Sequence, residues 1–267
     1  MGIGQASHNQ NDARILYDKD GHQCISFTHL VEGHGIQANQ FLIIDGTHAA
    51  LIDPGGDLTY TPLNIELGKR VKLSQLDYIF ASHQDPDIIA SLPRWMMHTR
   101  CNVVTSRLWS RFLPHLASTF VTNTFGNNLD ERIIGLPDKG AKIDFGRSYI
   151  QAVPAHFLHS VGNFQFYDPV SKVLFSGDMG ASIIDDNAGD AVKDFDEHIR
   201  HMKGFHQRYM ASNKACRIWA NRVRRLDVDM LVPQHGSPFV GTKMINRFLD
   251  WISELSCGID LMDESEF

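Results

Sequence analysis

The sequence predicts one layered α/β domain built on two sheets, and three observations carry that expectation. Short apolar strands alternate with helical segments along most of the 267 residues. Three strands share one design, running through a few small or polar residues into a side chain able to bind a metal. Asp77-Tyr78-Ile79-Phe80-Ala81-Ser82-His83 is echoed by Asp229-Met230-Leu231-Val232-Pro233-Gln234-His235, and Val173-Leu174-Phe175-Ser176-Gly177-Asp178 repeats the design with an aspartate. A duplicated two-sheet architecture would bring these ends to one edge, where α/β sheets place their sites. Finally, no linker, low-complexity segment or composition shift divides the chain. A single domain over residues 1–267 is therefore expected, with a polar and flexible stretch at 1–15.

Residues 23–28 and 40–44 read as strands, and 49–52 returns after an Asp45-Gly46-Thr47-His48 turn. Asp53-Pro54-Gly55-Gly56 is a hard stop before a helix over 61–68, with Thr61 as cap and Pro62 in the first helical position. Residues 76–81 form a buried strand. A helix is expected over about 87–98, interrupted in character by Pro93. A strand at 102–105 leads into a helix around 106–117, and the polar stretch 123–140 reads as loops over one face. Strands follow at 148–153, 162–167 and 173–176, with Asp168-Pro169 turning between the last two. Residues 194–226 have helical periodicity with a break near Ser212-Asn213; a strand at 229–232 and an amphipathic helix at 244–255 close the fold.

Composition narrows the function. An apolar fraction of 43% provides a large core, and the net charge of −6 argues against a broad nucleic-acid surface. No apolar run approaches the length of a membrane span. The N-terminus lacks the apolar middle of a secretory signal, and the four cysteines are scattered, so a cytoplasmic protein with reduced structural thiols is expected. The compositional oddity is 14 histidines.

His83-Gln84-Asp85-Pro86-Asp87 offers three ligating groups at alternate positions, which an extended backbone projects to one side. Pro86 biases Asp85 towards that extended form. The alternative is that Asp85 or Asp87 merely caps the following helix. His159, Asp178 and His235, each near a strand end, favour a metal site instead: Gly177 permits a sharp turn before Asp178, and Gly236 follows His235 in a similar setting.

This set resembles the metallo-β-lactamase superfamily, and more closely its diiron branch of flavodiiron and oxygen-binding diiron proteins. Hydrolase members carry His-x-His-x-Asp-His at the first site and flavodiiron proteins His-x-Glu-x-Asp-His; here Asp85 supplies the carboxylate and Ile88 stands in the last position. Phe157-Leu158-His159, Ser176-Gly177-Asp178 and Pro233-Gln234-His235-Gly236 resemble the other ligand segments. The resemblance spans roughly residues 20 to 255 and implies an αββα four-layer sandwich. It also implies that His83, Asp85 and His159 bind one metal, that Asp87 and His235 bind the other, and that Asp178 bridges them. The implied cofactor is two iron ions, and the implied function is O2 binding, sensing, or reduction of O2 or NO. Mixed imidazole–carboxylate shells suit non-haem iron, although zinc accepts the same ligands. A zinc or iron hydrolase of an ester, thioester or phosphodiester is the rival reading, and a metal-supported signalling module a third.

Two further residues enter as candidates near the chemistry. Tyr209 lies roughly where the diiron branch places a tyrosine near its open metal position, and His156 competes with His159 or supports it from behind. Asp53 resembles a structural aspartate of the superfamily. His98, His115, His198, His201 and His206 read as surface or helix histidines, and Trp95 and Trp219 as core. No flavodoxin-like domain follows the last helix in this sequence. The expectation is accordingly that the chain binds no flavin, draws on a separate electron donor or signalling partner, and forms a homodimer as its family often does.

Overall fold

The computed structural model describes residues 13–31, 35–116, 130–184 and 189–263. The first sheet takes seven strands in chain order: β1 (Ala13–Lys19), β2 (His22–Phe27), β3 (Gln40–Asp45), β4 (His48–Ile52), β5 (Leu76–Phe80), β6 (Asn102–Ser106) and β7 (Ile133–Leu136). The second takes six: β8 (Lys142–Phe145), β9 (Ser148–Pro154), β10 (Phe164–Asp168), β11 (Val173–Phe175), β12 (Met230–Val232) and β13 (Phe239–Val240). The helices are α1 (Asp57–Gly68), α2 (Pro86–Ile89), α3 (Leu92–His98), α4 (Arg107–Ser110), α5 (Phe195–Tyr209), α6 (Asn213–Val223) and α7 (Thr242–Glu254).

Alternation along the central strands builds four layers. In β3, Phe41 and Ile43 face the second sheet while Leu42 faces α1 and α3; in β4, Ala50 and Ile52 face inward while Ala49 and Leu51 face the helices. The inter-sheet layer is closed by aromatic pairs, Phe41 on Phe175 and Phe80 on Phe166, each with centroids 4.9 Å apart. On the far side, Leu174 and Leu231 pack with Met202, Trp219, Phe248 and Ile252 of α5, α6 and α7. Trp95 and Trp219 are both core residues. The architecture is the expected αββα sandwich.

Several local expectations change. The helix foreseen over 61–68 begins a turn earlier, at Asp57, so Pro62 lies inside it and Gly56 takes the cap position. The early turn is held by Arg94, which pairs with Asp57 at 2.8 Å and lies over the Tyr60 ring. The helix expected over 87–98 splits into α2 and α3, with Pro93 accepted in the first turn of α3, where its missing N–H costs nothing. The helix from 106 is short, running through α4 into a single turn at Leu113–Leu116; position 117 lies outside the described residues. Within the stretch read as loops, Ile133–Leu136 is the parallel edge strand β7, and residues 123–129 lie outside the description. Strand β1 takes residues 13–15 from the stretch expected to be flexible. Both edge strands are half exposed, so their period is weak in the sequence.

Candidate metal centre

Parallel strands β4 and β5, and β11 and β12, end on the same side of the sandwich, and the loops after them converge. Across the sheets, Asn39 N–H bonds the Gln234 carbonyl at 2.5 Å and Phe164 N–H bonds the Ser82 carbonyl at 3.1 Å, which fixes the two sets of strand ends against each other. Gly236 has a left-handed backbone (φ 82), and a Cβ there would meet the Ser182 side chain and lie 2.6 Å from the Ser182 carbonyl oxygen. Only glycine suits that turn, which aims His235 inward.

All six predicted ligands lie at this convergence. His83 Nε2 is 3.7 Å from Asp85 Oδ2 and 3.3 Å from Asp178 Oδ2, and His159 Nε2 is 3.1 Å and 2.9 Å from the same two oxygens. Ligand atoms from His83, Asp85, His159 and Asp178 all lie within 4.8 Å of one another. His235 Nε2 stands 3.4 Å from the other Asp178 oxygen, Oδ1, and 3.5 Å from Asp87 Oδ2. Asp178 therefore turns one oxygen to each histidine set. Asp85 occupies the cap position of α2 with its side chain bonded to no backbone amide of that helix, so the capping alternative does not hold for it. Ile88 is fully buried in the core under the first sheet, which leaves Asp87 and His235 without a third partner from that segment.

The residues fit a pair of metal ions. His83 Nε2 is buried, faces two carboxylates and has hydrogen-bond geometry to no neighbour. Donor atoms 2.9–3.7 Å apart are spaced as ligands of one ion at about 2.0–2.2 Å would be, about 3 Å in octahedral and about 3.4 Å in tetrahedral geometry. Without cations the charges compensate each other. Burial opposes charge on His83, yet Asp178 and Asp85 hold its pKa well above the ordinary value. Burial likewise opposes charge on His159, which the same carboxylates bring to about 9. Burial would raise Asp178, but His83, His159 and His235 hold it well below the carboxylate range. A metal would take the place of these protons.

Three supports went unforeseen. The Ser82 hydroxyl lies 2.9 Å from His83 Nδ1 and accepts a hydrogen bond from Gln234 Nε2 at 3.0 Å; Gln234 also bonds Asp53. His235 Nδ1 faces the Gln37 carbonyl at 2.7 Å. Ser82 and Gln234 are the residues just before the histidines in the echoed strands, so the echo itself was their signal. Asp53 is buried beneath the loops, accepting the Ser82 N–H at 2.8 Å, and burial lifts its carboxyl to about 6.

The two remaining candidates separate. The Tyr209 ring lies 5.4 Å from that of His159, stacks on Phe205 at 4.7 Å, and is half exposed. His156 stands apart from the ligand set: its Nε2 faces the Asp138 carbonyl at 2.7 Å and its ring meets Phe164.

Comparison with known proteins places these features in context. A family described as ODP family beta lactamase matches residues 36–236. A solved structure described as the peroxy diiron species of the chemotaxis sensor ODP is 35% identical, with a TM-score of 0.82 over 96% of this chain and 100% of that one. The apo state of the chemotaxis sensor ODP from T. denticola is also 35% identical, with a TM-score of 0.81 over 96% and 99%. Among curated proteins, one named as a diflavin flavoprotein (A 4) in Synechocystis sp. is 27% identical over 228 residues, 81% of this chain. The chain spans about a third of the length of the curated relatives it matches, 35% of one and 33% of another.

Proposed function

The chain belongs to the ODP family of β-lactamase-fold proteins, and on that premise we propose that it is a non-haem diiron protein whose centre binds O2 in a sensing role. The observation that carries the reading is the placement of Asp178, with Oδ2 towards His83 and His159 and Oδ1 towards His235. A carboxylate facing two histidine sets in this way suits a bridge between two ions. Three imidazoles and three carboxylates favour iron over the more histidine-rich hydrolase set. Two ferrous ions held there would each have one electron available for a bound diatomic, a two-electron capacity that needs no radical to be released.

The chain's own residues set the rest. His83, Asp85 and His159 would hold one ion, Asp87 and His235 the other. Ser82 and the Gln37 carbonyl accept from the far ring nitrogens of His83 and His235, which leaves Nε2 of each free to ligate. The thinly provided Asp87–His235 side is where a small ligand enters. Tyr209 and Phe205 wall the approach past His159. His156 holds the loop that carries His159 through its bond to Asp138. A sensing role is supported by the likeness to the chemotaxis sensor at 35% identity, and it calls for a protein partner that receives the signal. Cytoplasmic placement is supported by four free cysteines. Among the described residues no helix is long and apolar enough to cross a membrane. A homodimer rests on the family resemblance alone.

Protein expressed in medium replete with iron and zinc, purified without oxygen and analysed for metals, should hold two irons per chain. Admitting O2 should change its optical spectrum. Zinc in both positions, with no oxygen-dependent absorption, would overturn the reading in favour of a hydrolase.

A further inference from the structure

A second cluster of ligating side chains lies at the opposite end of the sandwich. Strand β3 starts beside the end of β4, next to the centre described above, and ends at Asp45, which pairs with His22. In the other sheet Asp168 pairs with Val173, at the start of β11, whereas Asp178 lies past its end. His22, Cys24 and Asp168 are all buried there, and their Nε2, Sγ and carboxylate oxygen lie within 4.8 Å of one another.

We propose that His22, Cys24 and Asp168 form a structural zinc site that clamps the two sheets together, separate from the carboxylate-bridged centre. Three observations support it. The first is crowding. Asp168 Oδ2 lies 2.7 Å from His22 Nε2 and 3.4 Å from Cys24 Sγ, and it accepts from the Ser171 hydroxyl at 2.5 Å and the Ser171 amide at 3.3 Å. One carboxylate oxygen offers about two lone-pair sites, so these donors outnumber what it can accept well. A cation among the side chains turns that competition into coordination.

The second is the histidine tautomer. With Nε2 donating to Asp168, the His22 Nδ1 is buried without a hydrogen-bond partner. Zinc on Nε2 moves the proton to Nδ1, which points at Asp45 Oδ1, 3.5 Å away. Asp45 is itself held by the Arg147 guanidinium at 2.6 Å. A metal-bound histidine commonly has such a carboxylate behind it.

The third is size and charge. Zinc–sulfur bonds of about 2.3 Å and zinc–nitrogen or –oxygen bonds of about 2.0–2.2 Å place tetrahedral donor atoms about 3.4–3.6 Å apart. The observed separations are 2.7 Å (N to O), 3.4 Å (S to O) and 4.0 Å (S to N). An ion of that size requires the His22 and Asp168 donors to part by about 0.7–0.9 Å and the sulfur to draw about half an ångström nearer the imidazole. Ser171 Oγ, 3.3 Å from the sulfur and 2.5 Å from Asp168 Oδ2, lies beside the set and donates to the carboxylate. On binding, the Cys24 thiol gives its proton to solvent and its sulfur bonds the metal. The doubly charged ion with one thiolate, one carboxylate and a neutral imidazole is then uncharged overall, as a buried site requires. The thiolate selects zinc rather than the hard ions suited to carboxylates alone.

The sulfur also makes the test selective, because no cysteine belongs to the carboxylate-bridged centre. The full chain is loaded with cobalt(II) without oxygen, in a Cys257→Ser background that breaks up the Cys216–Cys257 pair, whose sulfurs are 3.8 Å apart. A thiolate-to-cobalt charge-transfer band is expected. It should persist in His159→Ala and disappear on adding Cys24→Ser. No band in the folded parent, or a band that survives Cys24→Ser, overturns the site. Should Cys24→Ser fail to fold, X-ray absorption of the zinc-loaded parent decides instead. A sulfur neighbour at about 2.3 Å that His22→Gln weakens supports the proposal, and a shell of nitrogen and oxygen alone refutes it.

Discussion

Asp178 is the residue on which the centre turns, because a buried carboxylate with a histidine set on each oxygen is stable only if positive charge surrounds it. The residues behind the ligands matter next. Ser82 is the only side chain placed against the far nitrogen of His83 among the described contacts, and it is itself held by Gln234. Ser82→Ala should leave the His83 ring free to rotate and lower metal affinity roughly 10- to 100-fold, with the fold intact. Competition with a chelator of known affinity measures this, and unchanged affinity would remove Ser82 from the site. The six candidate ligands were legible residue by residue, since histidine and aspartate at strand ends carry their chemistry in their identity. Ser82 was marked only by its place in the echoed strand, and Gln37 not at all. A serine is common anywhere, and the Gln37 contribution is a backbone carbonyl that no side chain announces.

At the scale of elements, α5 lies where its periodicity put it, but its buried face holds histidines. Phe195, His198, Met202 and His206 form its buried stripe, so two histidines read as helix or surface residues in fact face the core. His206 donates from Nδ1 to the Met202 carbonyl at 2.8 Å and accepts the Gly180 N–H on Nε2 at 3.0 Å, which uses both ring nitrogens in the neutral form. Burial holds its pKa at about 4, below the ordinary 6.5. The unfolded chain therefore takes up this proton near pH 6.5 while the folded chain resists it down to about 4. Between those values the unfolded state binds more protons, so stability falls as pH falls. The contribution is intact above 6.5 and lost below about 4, and a shift of this size corresponds to on the order of 3 kcal/mol. Urea unfolding from pH 7 to 4 should show that loss, to which His198, lowered to about 4 by burial as well, adds; His206→Gln should reduce the slope, and an identical slope in the variant would refute the assignment. Helix periodicity located α5, α6 and α7 well, but the split between α2 and α3 and the early start of α1 follow from tertiary contacts of Arg94 and Trp95.

For the whole molecule, the decisive layer is the one between the sheets. Phe166 is fully buried there against Phe80. Phe166→Ala should cost about 3–5 kcal/mol, read as a lower denaturant midpoint. It should loosen the metal centre as well, because the strand ends of the two sheets keep their spacing only while this layer is packed. A variant within about 1 kcal/mol of the parent would show that the sheets are held together elsewhere. The sequence by itself determined a layered two-sheet α/β class, the strand ends that carry chemistry and the six candidate ligands, because apolar period and residue identity are local properties, while the four-layer sandwich came from the family resemblance those residues carry. Only the tertiary structure decided which Asp178 oxygen faces which histidines, that Ile88 turns into the core, and that Ser82, Gln234 and Gln37 set the rings. It also decided the edge strands β1 and β7, whose half-exposed sequences acquire strand form only from a neighbour to pair with. These are relations between segments far apart in the chain, and packing fixes them where local pattern cannot.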